Sequence, residues 1–116
     1  LTGLGALYGR YDLESGSDGF MTGFAFPEVL QALVAARKAH DDARLCAIYE
    51  QFLPLIVFEQ QPGVAVRKEI FRLRGLLQSN CVRHPGRGID PQTADHLKTL
   101  LNSLLPDIDL TTPLTF

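Results

Sequence analysis

Cations are not in excess in this sequence, cysteines are few, and no long apolar run is present. Eleven Lys+Arg stand against 13 Asp+Glu, a formal net charge of -2. A chain that wraps nucleic acid or lies on an anionic membrane carries surplus positive charge, so the balance excludes both partner classes: no nucleic acid and no membrane. The longest strongly apolar stretch, Phe52 to Phe58, is broken by Pro54 and is far shorter than the roughly 20 residues that span a bilayer. The two cysteines, Cys46 and Cys81, form no CxxC pair; they fit free thiols in a reducing, cytoplasmic compartment better than a disulfide framework. What is present is an ordinary globular balance, 46% hydrophobic and 21% charged, so a packed core is expected and composition alone selects no function.

The 116 residues match the size of one small domain, but the opening Leu1-Thr2-Gly3-Leu4-Gly5 is apolar and glycine-rich, without a polar cap or loose tail. The expectation is a piece of a longer protein. This run reads as a strand end turning into a short helix from Ala6, with Leu7, Tyr11 and Leu13 on its apolar side and Gly16 as a left-handed stop. Gly19 to Phe26 reads as a strand between Asp18-Gly19 and Pro27. Its bulky face carries Phe20, Thr22, Phe24 and Phe26, and its small face Met21, Gly23 and Ala25. Neither face is charged, which suits a buried parallel strand in a barrel wall covered by helices. Two strand candidates cannot make a sheet, so its neighbours must come from elsewhere.

Helices account for the rest. Pro27-Glu28 opens one whose core face is Leu30, Leu33, Val34 and the Arg37 stem, with Lys38 and His40 in its last turn. Asp41 or Asp42 caps the next, which carries Leu45, Ile48, Tyr49, Phe52, Leu53 and Ile56 at helical spacing; Pro54 predicts a kink or a restart near Glu50. Glu59-Gln60-Gln61-Pro62-Gly63 is the plainest break in the chain. Beyond it Val66, Ile70, Leu73 and Leu77 form a stripe, with Arg67, Lys68, Arg72 and Arg74 assigned to other faces. Ser79 to Gly88 is a loop. Asp90-Pro91 starts a final helix with a leucine face at Leu97, Leu100, Leu101, Leu104 and Leu105, ended by Pro106. Asp107 to Phe116 has no period and predicts an irregular tail.

Few residues offer chemistry. Gly3-Leu4-Gly5-Ala6-Leu7-Tyr8 superficially matches a dinucleotide loop, but Tyr8 stands where the third glycine belongs; Gly3 and Gly5 instead let backbone approach something closely. His40, His84 and His96 lie far apart with no ligand spacing, so no metal site is expected. Cys46 and Cys81 read as inert packing residues. Arg67, Lys68, Arg72 and Arg74 read as a solvated helix face pairing with Glu69 or another acid, against the alternative of an anion site. Lys38, Lys68 and Lys98 each sit on an amphipathic helix among other charges, not in the desolvated pocket a Schiff-base lysine needs.

Leu1-Thr2-Gly3 followed by Asp12-Leu13-Glu14-Ser15-Gly16-Ser17-Asp18-Gly19-Phe20-Met21-Thr22-Gly23-Phe24-Ala25-Phe26-Pro27-Glu28 resembles the last two strand-helix units of the dihydrodipicolinate synthase/N-acetylneuraminate lyase family. Phe52-Leu53-Pro54-Leu55, Glu59-Gln60-Gln61-Pro62-Gly63 with Arg67-Lys68-Glu69, and Val82-Arg83-His84-Pro85-Gly86 resemble its C-terminal helical extension. The resemblance runs in order to about Leu105. It implies an α/β fold, the C-terminal part of a TIM (β/α) barrel plus a helical extension, mostly helical in this segment. The implied divisions are 1–40 for the last barrel units, 41–105 for the extension and 106–116 for an irregular tail. It implies lyase or aldolase chemistry on pyruvate or related 2-oxo acids through a lysine Schiff base, with no cofactor and with homo-oligomer formation by the intact protein.

By motif position Gly3 borders the bound keto acid and Met21 packs against it. The family's Schiff-base lysine, proton-relaying tyrosine and glycine-threonine-threonine motif have no counterpart here, so the resemblance implies no catalytic residue in this chain and no activity by it alone. Phe24 to Pro27 depart from the synthase pattern, which leaves a sugar-acid dehydratase or aldolase open beside a synthase. A self-standing helical interaction module is the rival class, and a phosphate-binding regulatory domain using Arg67 to Arg74 is a third.

Overall fold

The computed structural model describes residues 1–116. The two predicted strands meet at a single parallel bridge between Thr2 and Phe20. Thr2 N–H donates to the Gly19 carbonyl at 2.8 Å, and Met21 N–H to the Thr2 carbonyl at 2.9 Å. No ladder extends from it, so the expected strand over Gly19–Phe26 is corrected to an extended segment. The physical reason is the absence of partners: every other element is helical, and a strand cannot satisfy both backbone edges against one short neighbour.

The chain then turns with the wrong hand for a helix. Leu4, Gly5 and Ala6 have φ of +50°, +62° and +68°, a left-handed turn where a right-handed helix was expected to begin. Helix α1 spans Gly9–Glu14, later than the sequence suggests, and only Leu13 of its three expected apolar residues is fully buried. Tyr11 is exposed, with its ring edge-on to Tyr49. Gly16 takes the left-handed position after the helix, φ +101°.

Helix α2 spans Pro27–Lys38 with proline in its first turn, and α3 spans Asp42–Phe58 with the Asp41 carboxylate accepting from Arg44 N–H at 3.0 Å. Of the kink or restart expected at Pro54, the restart is absent: α3 is one helix through it. Phe52, Leu55 and Ile56 are buried on both sides of it in sequence, and their packing outweighs the one donor that proline removes. Helix α4 spans Val64–Leu73 and α5 spans Pro91–Leu104, the latter capped by Asp90. Leu77 lies beyond α4 and is 39% exposed, so it is not part of that helix's buried stripe.

The core is one continuous cluster. α2 packs chiefly on α3, which also meets α1 and α5. Phe26, Phe52, Leu55 and Ile56 are almost fully enclosed. The tail is irregular but docked: Phe116 sets its ring against Phe52 at 6.0 Å between centroids, and Leu114 N–H donates to Glu28. No helix is long and apolar enough to cross a membrane.

Candidate functional site

The body is only 21 Å thick along its shortest axis, and its apolar exposure concentrates where the first segment meets the extended one. Leu1, Leu4 and Met21 are each at least 70% exposed. The bridge at Thr2 and Phe20 sets Gly3 next to Met21; a methyl group on Gly3 would lie 3.7 Å from the Met21 carbonyl oxygen, an ordinary contact. Gly3 therefore has room for a side chain within this chain. Gly5 does not: its φ is positive, and a Cβ there would fall 2.6 Å from the Gln60 amide nitrogen.

Beyond the bridge, side chains rather than a strand ladder tie the left-handed turn to the rest of the chain. Gly5 N–H donates to Thr22 Oγ1 at 2.6 Å, and Gln60 Nε2 donates to the Leu4 carbonyl at 3.1 Å. Left-handed backbone costs a non-glycine residue about 1–2 kcal/mol; these contacts, the burial of Ala6 and the turn's own bonds from Ala6 N–H to Gly3 and Leu7 N–H to Leu4 offset it. Thr2 Oγ1 also donates to Asp12, which ties the bridge to α1.

The extended segment is fixed at Ala25 by two charged side chains that sequence reasoning missed. Glu59, 1% exposed, accepts from Ala25 N–H at 3.1 Å. Arg74, 6% exposed, donates to the Ala25 carbonyl at 2.7 Å and pairs with Glu28. Its guanidinium also sits 4.6 Å from the centre of the Phe26 ring. Both residues had a readable signal. Glu59 follows Phe52, Leu55 and Ile56 at helical spacing, and Arg74 follows Val66 and Ile70, so each lies on a buried stripe instead of a solvated one.

The basic group is corrected accordingly. Arg72 does pair with Glu69, at 2.7 Å, but Arg74 is buried, Lys68 donates to the Cys81 carbonyl at 2.5 Å, and Arg67 lies 3.3 Å from Glu59 Oε2. The Arg67 guanidinium rests over Gly23, where a Cβ would come within 2.6 Å of it. The Glu59–Arg67 contact is poorly aligned: neither Glu59 Oε2 nor Arg67 Nε has a hydrogen-bond partner. Burial pushes the Glu59 carboxyl up to about 7, and the Ala25 N–H and Arg67 offset that only in part.

Two clefts flank the extended segment. One of about 510 Å³ lies along Phe20, Thr22, Leu30 and Val34; another of about 580 Å³ lies along Thr22, Gly23, Arg67 and Phe71. His40 lies just beyond α2 and not in its last turn as expected, while His84 and His96 are exposed elsewhere, and no three His, Cys, Asp or Glu side chains converge as metal ligands. Cys46 is half-buried and accepts from Arg10 at 2.9 Å; Cys81 is exposed.

A parallel contact between two segments, each leading toward a helix, with further helices packed behind, is the signature of a strand-helix protein's edge. No protein-family model matches the chain. Among curated proteins it is similar to L-2-keto-3-deoxyarabonate dehydratase of Azospirillum brasilense, 36% identical over 98 residues, which is 82% of this chain and 31% of the dehydratase. Among solved structures it is similar to dihydrodipicolinate synthase from Rhodopseudomonas palustris, with a TM-score of 0.86 and 36% identity over 90% of this chain and 35% of that one. The chain belongs to the dihydrodipicolinate synthase family. It spans about a third of the length of these relatives.

Proposed function

We propose that this chain is the C-terminal part of a lyase or dehydratase that acts on a pyruvate-class 2-oxo acid through a lysine Schiff base formed outside these residues. Residues 1–40 supply the last units of a TIM barrel, 41–105 a helical extension and 106–116 its tail. Gly3 and Met21 form a wall of the substrate pocket, and the chain alone is inactive. The observation that carries this reading is the parallel bridge that brings Gly3 beside Met21 at an open apolar edge.

The lysines support a Schiff base elsewhere. Lys38 and Lys98 are exposed and Lys68 is engaged by a backbone carbonyl, whereas an amine that attacks a carbonyl at neutral pH needs desolvation or a cationic neighbour. Similarity to a dehydratase of a keto-deoxy sugar acid favours a 2-keto-3-deoxy acid as substrate and elimination of water as the reaction. Exposed Val57, Val64 and Leu76 offer apolar area for a homo-oligomer, and two unpaired cysteines suit the cytoplasm.

The test is borohydride reduction of the full-length protein with pyruvate, followed by peptide mass mapping. The expected adduct falls on a lysine other than Lys38, Lys68 and Lys98, and none forms with the isolated chain. An adduct on one of those three, or none on the full-length protein, defeats the proposal.

A further inference from the structure

We infer that Thr22 and Gln60 are positioning residues for the pocket wall, holding the left-handed turn Leu4–Ala6 so that Gly3 stays in register with Met21; the functional part of this inference rests on the lyase reading above. The turn is strained, since Leu4 and Ala6 are not glycines and yet have positive φ. Within the turn, Ala6 N–H donates to the Gly3 carbonyl at 3.0 Å and Leu7 N–H to the Leu4 carbonyl at 3.1 Å; two further contacts come from outside. The Thr22 hydroxyl accepts from Gly5 N–H at 2.6 Å, one residue along from Met21 and two along from Gly3. This side-chain contact supplies the second tie between the two segments that a ladder would otherwise make, the first being the single bridge at Thr2 and Phe20.

Gln60 closes the turn from the opposite side. Its Nε2 donates to the Leu4 carbonyl at 3.1 Å and to the Ile56 carbonyl at 3.0 Å, so both amide hydrogens are used. The second of these bonds anchors the side chain to the C-terminal end of α3, the longest helix of the body. Gly5 fits against that amide only because it lacks a Cβ. Thr22 and Gln60 are half-buried at the rim, not part of the dry core, and neither carries an acid, base or nucleophile suited to the reaction. Their contribution is geometric: they fix where the Gly3 backbone stands relative to Met21. Strained backbone of this kind persists where the surroundings over-determine it, and such places are commonly binding sites.

Three variants of the full-length protein test this. Thr22→Val keeps the shape and removes the acceptor, Gln60→Glu keeps the shape and removes both donors, and Thr22→Ser keeps the hydroxyl. With wall and substrate out of register, KM for the 2-oxo acid is expected to rise about tenfold in Thr22→Val and Gln60→Glu, with kcat within about threefold and the pyruvate adduct still trapped. Thr22→Ser returns KM to within about twofold of the parent. Unchanged KM in both disabling variants overturns the inference, and so does Thr22→Ser behaving like Thr22→Val. If Thr22→Val fails to fold, Gln60→Glu decides alone.

Hydrogen exchange at the Gly5 amide gives a readout independent of activity. Protection in the parent and exchange about tenfold faster in Thr22→Val are expected; an unprotected Gly5 amide overturns the positioning role even in an active enzyme. If the parent traps no pyruvate while Gly5 is protected and loosened as expected, the lyase reading fails and the hold on the turn stands.

Discussion

Two carboxylate–arginine pairs hold the backbone of Ala25, one at its N–H and one at its carbonyl, and they are built differently. At the Ala25 carbonyl, Arg74 is almost fully used: it bonds that oxygen and Glu28, reaches the Leu110 carbonyl at 3.4 Å and covers the Phe26 ring. Glu28 in turn accepts from Leu114 N–H. Burial alone would raise the Glu28 carboxyl, but hydrogen bonds from its own amide, from Arg74 and from Leu114 hold it below the usual carboxylate range. At the Ala25 N–H, Glu59 has one good hydrogen bond and a misaligned arginine, and its carboxyl rises to about 7. Two ion pairs at one residue thus differ in sign of shift. Depth of burial and the number of aligned donors together set the sign: Glu59 is the more deeply buried and the less well bonded of the two.

Removing the better-built pair should have the largest effect. Arg74→Ala leaves Glu28 and the Ala25 carbonyl without their buried partner, and a loss of about 3–5 kcal/mol in urea denaturation is expected; a loss below about 1 kcal/mol would show that the network adds nothing over solvent.

The weaker pair should reveal itself through pH. The folded pKa of Glu59, about 7, lies above its ordinary value of 4.5, so the folded chain holds this proton more tightly than the unfolded one. Its favourable contribution is fully present below about pH 4.5 and is lost as pH rises through about 7, on the order of 3 kcal/mol in total. Glu59→Gln keeps an acceptor for Ala25 N–H and removes the titration. Its stability profile between pH 5 and 8 should therefore be flatter than the parent's. The same slope in both proteins would assign the pH dependence to other groups.

A cap remote from both pairs sets the lower end of the scale. Asp90 accepts from Thr93 N–H at 2.9 Å and is exposed to solvent screening, so Asp90→Ala should lower stability measurably in thermal or urea unfolding, but far less than Arg74→Ala. A cost equal to that of Arg74→Ala would erase the distinction between buried network and surface cap.

Helices were legible where local rules govern them. Pro27 and Asp90-Pro91 mark the starts of α2 and α5 because a proline in the first turn and an aspartate cap act within three or four residues. The Gly19–Phe26 strand was legible only as a tendency: its alternation is real, but a strand is a property of pairs, and this segment has one bridge to pair with. Glu59 and Arg74 were hidden by their charge, which argues for solvent unless the spacing that places them on buried stripes is given priority. Thr22 and Gln60 gave no local signal at all, since their partners lie 17 and 56 residues away.

The sequence by itself determined the family, the helical periods and most helix ends, because these depend on residue types at short, fixed separations. The resemblance carried by the sequence is also the source of the proposal that Gly3 and Met21 wall a substrate pocket. Tertiary structure alone decided which charges are buried, that α3 runs through Pro54, and that residues 4–6 turn left-handed under the hold of Thr22 and Gln60. Each of these outcomes balances a local cost against contacts from distant parts of the chain, and such a balance exists only once the fold has brought the partners together.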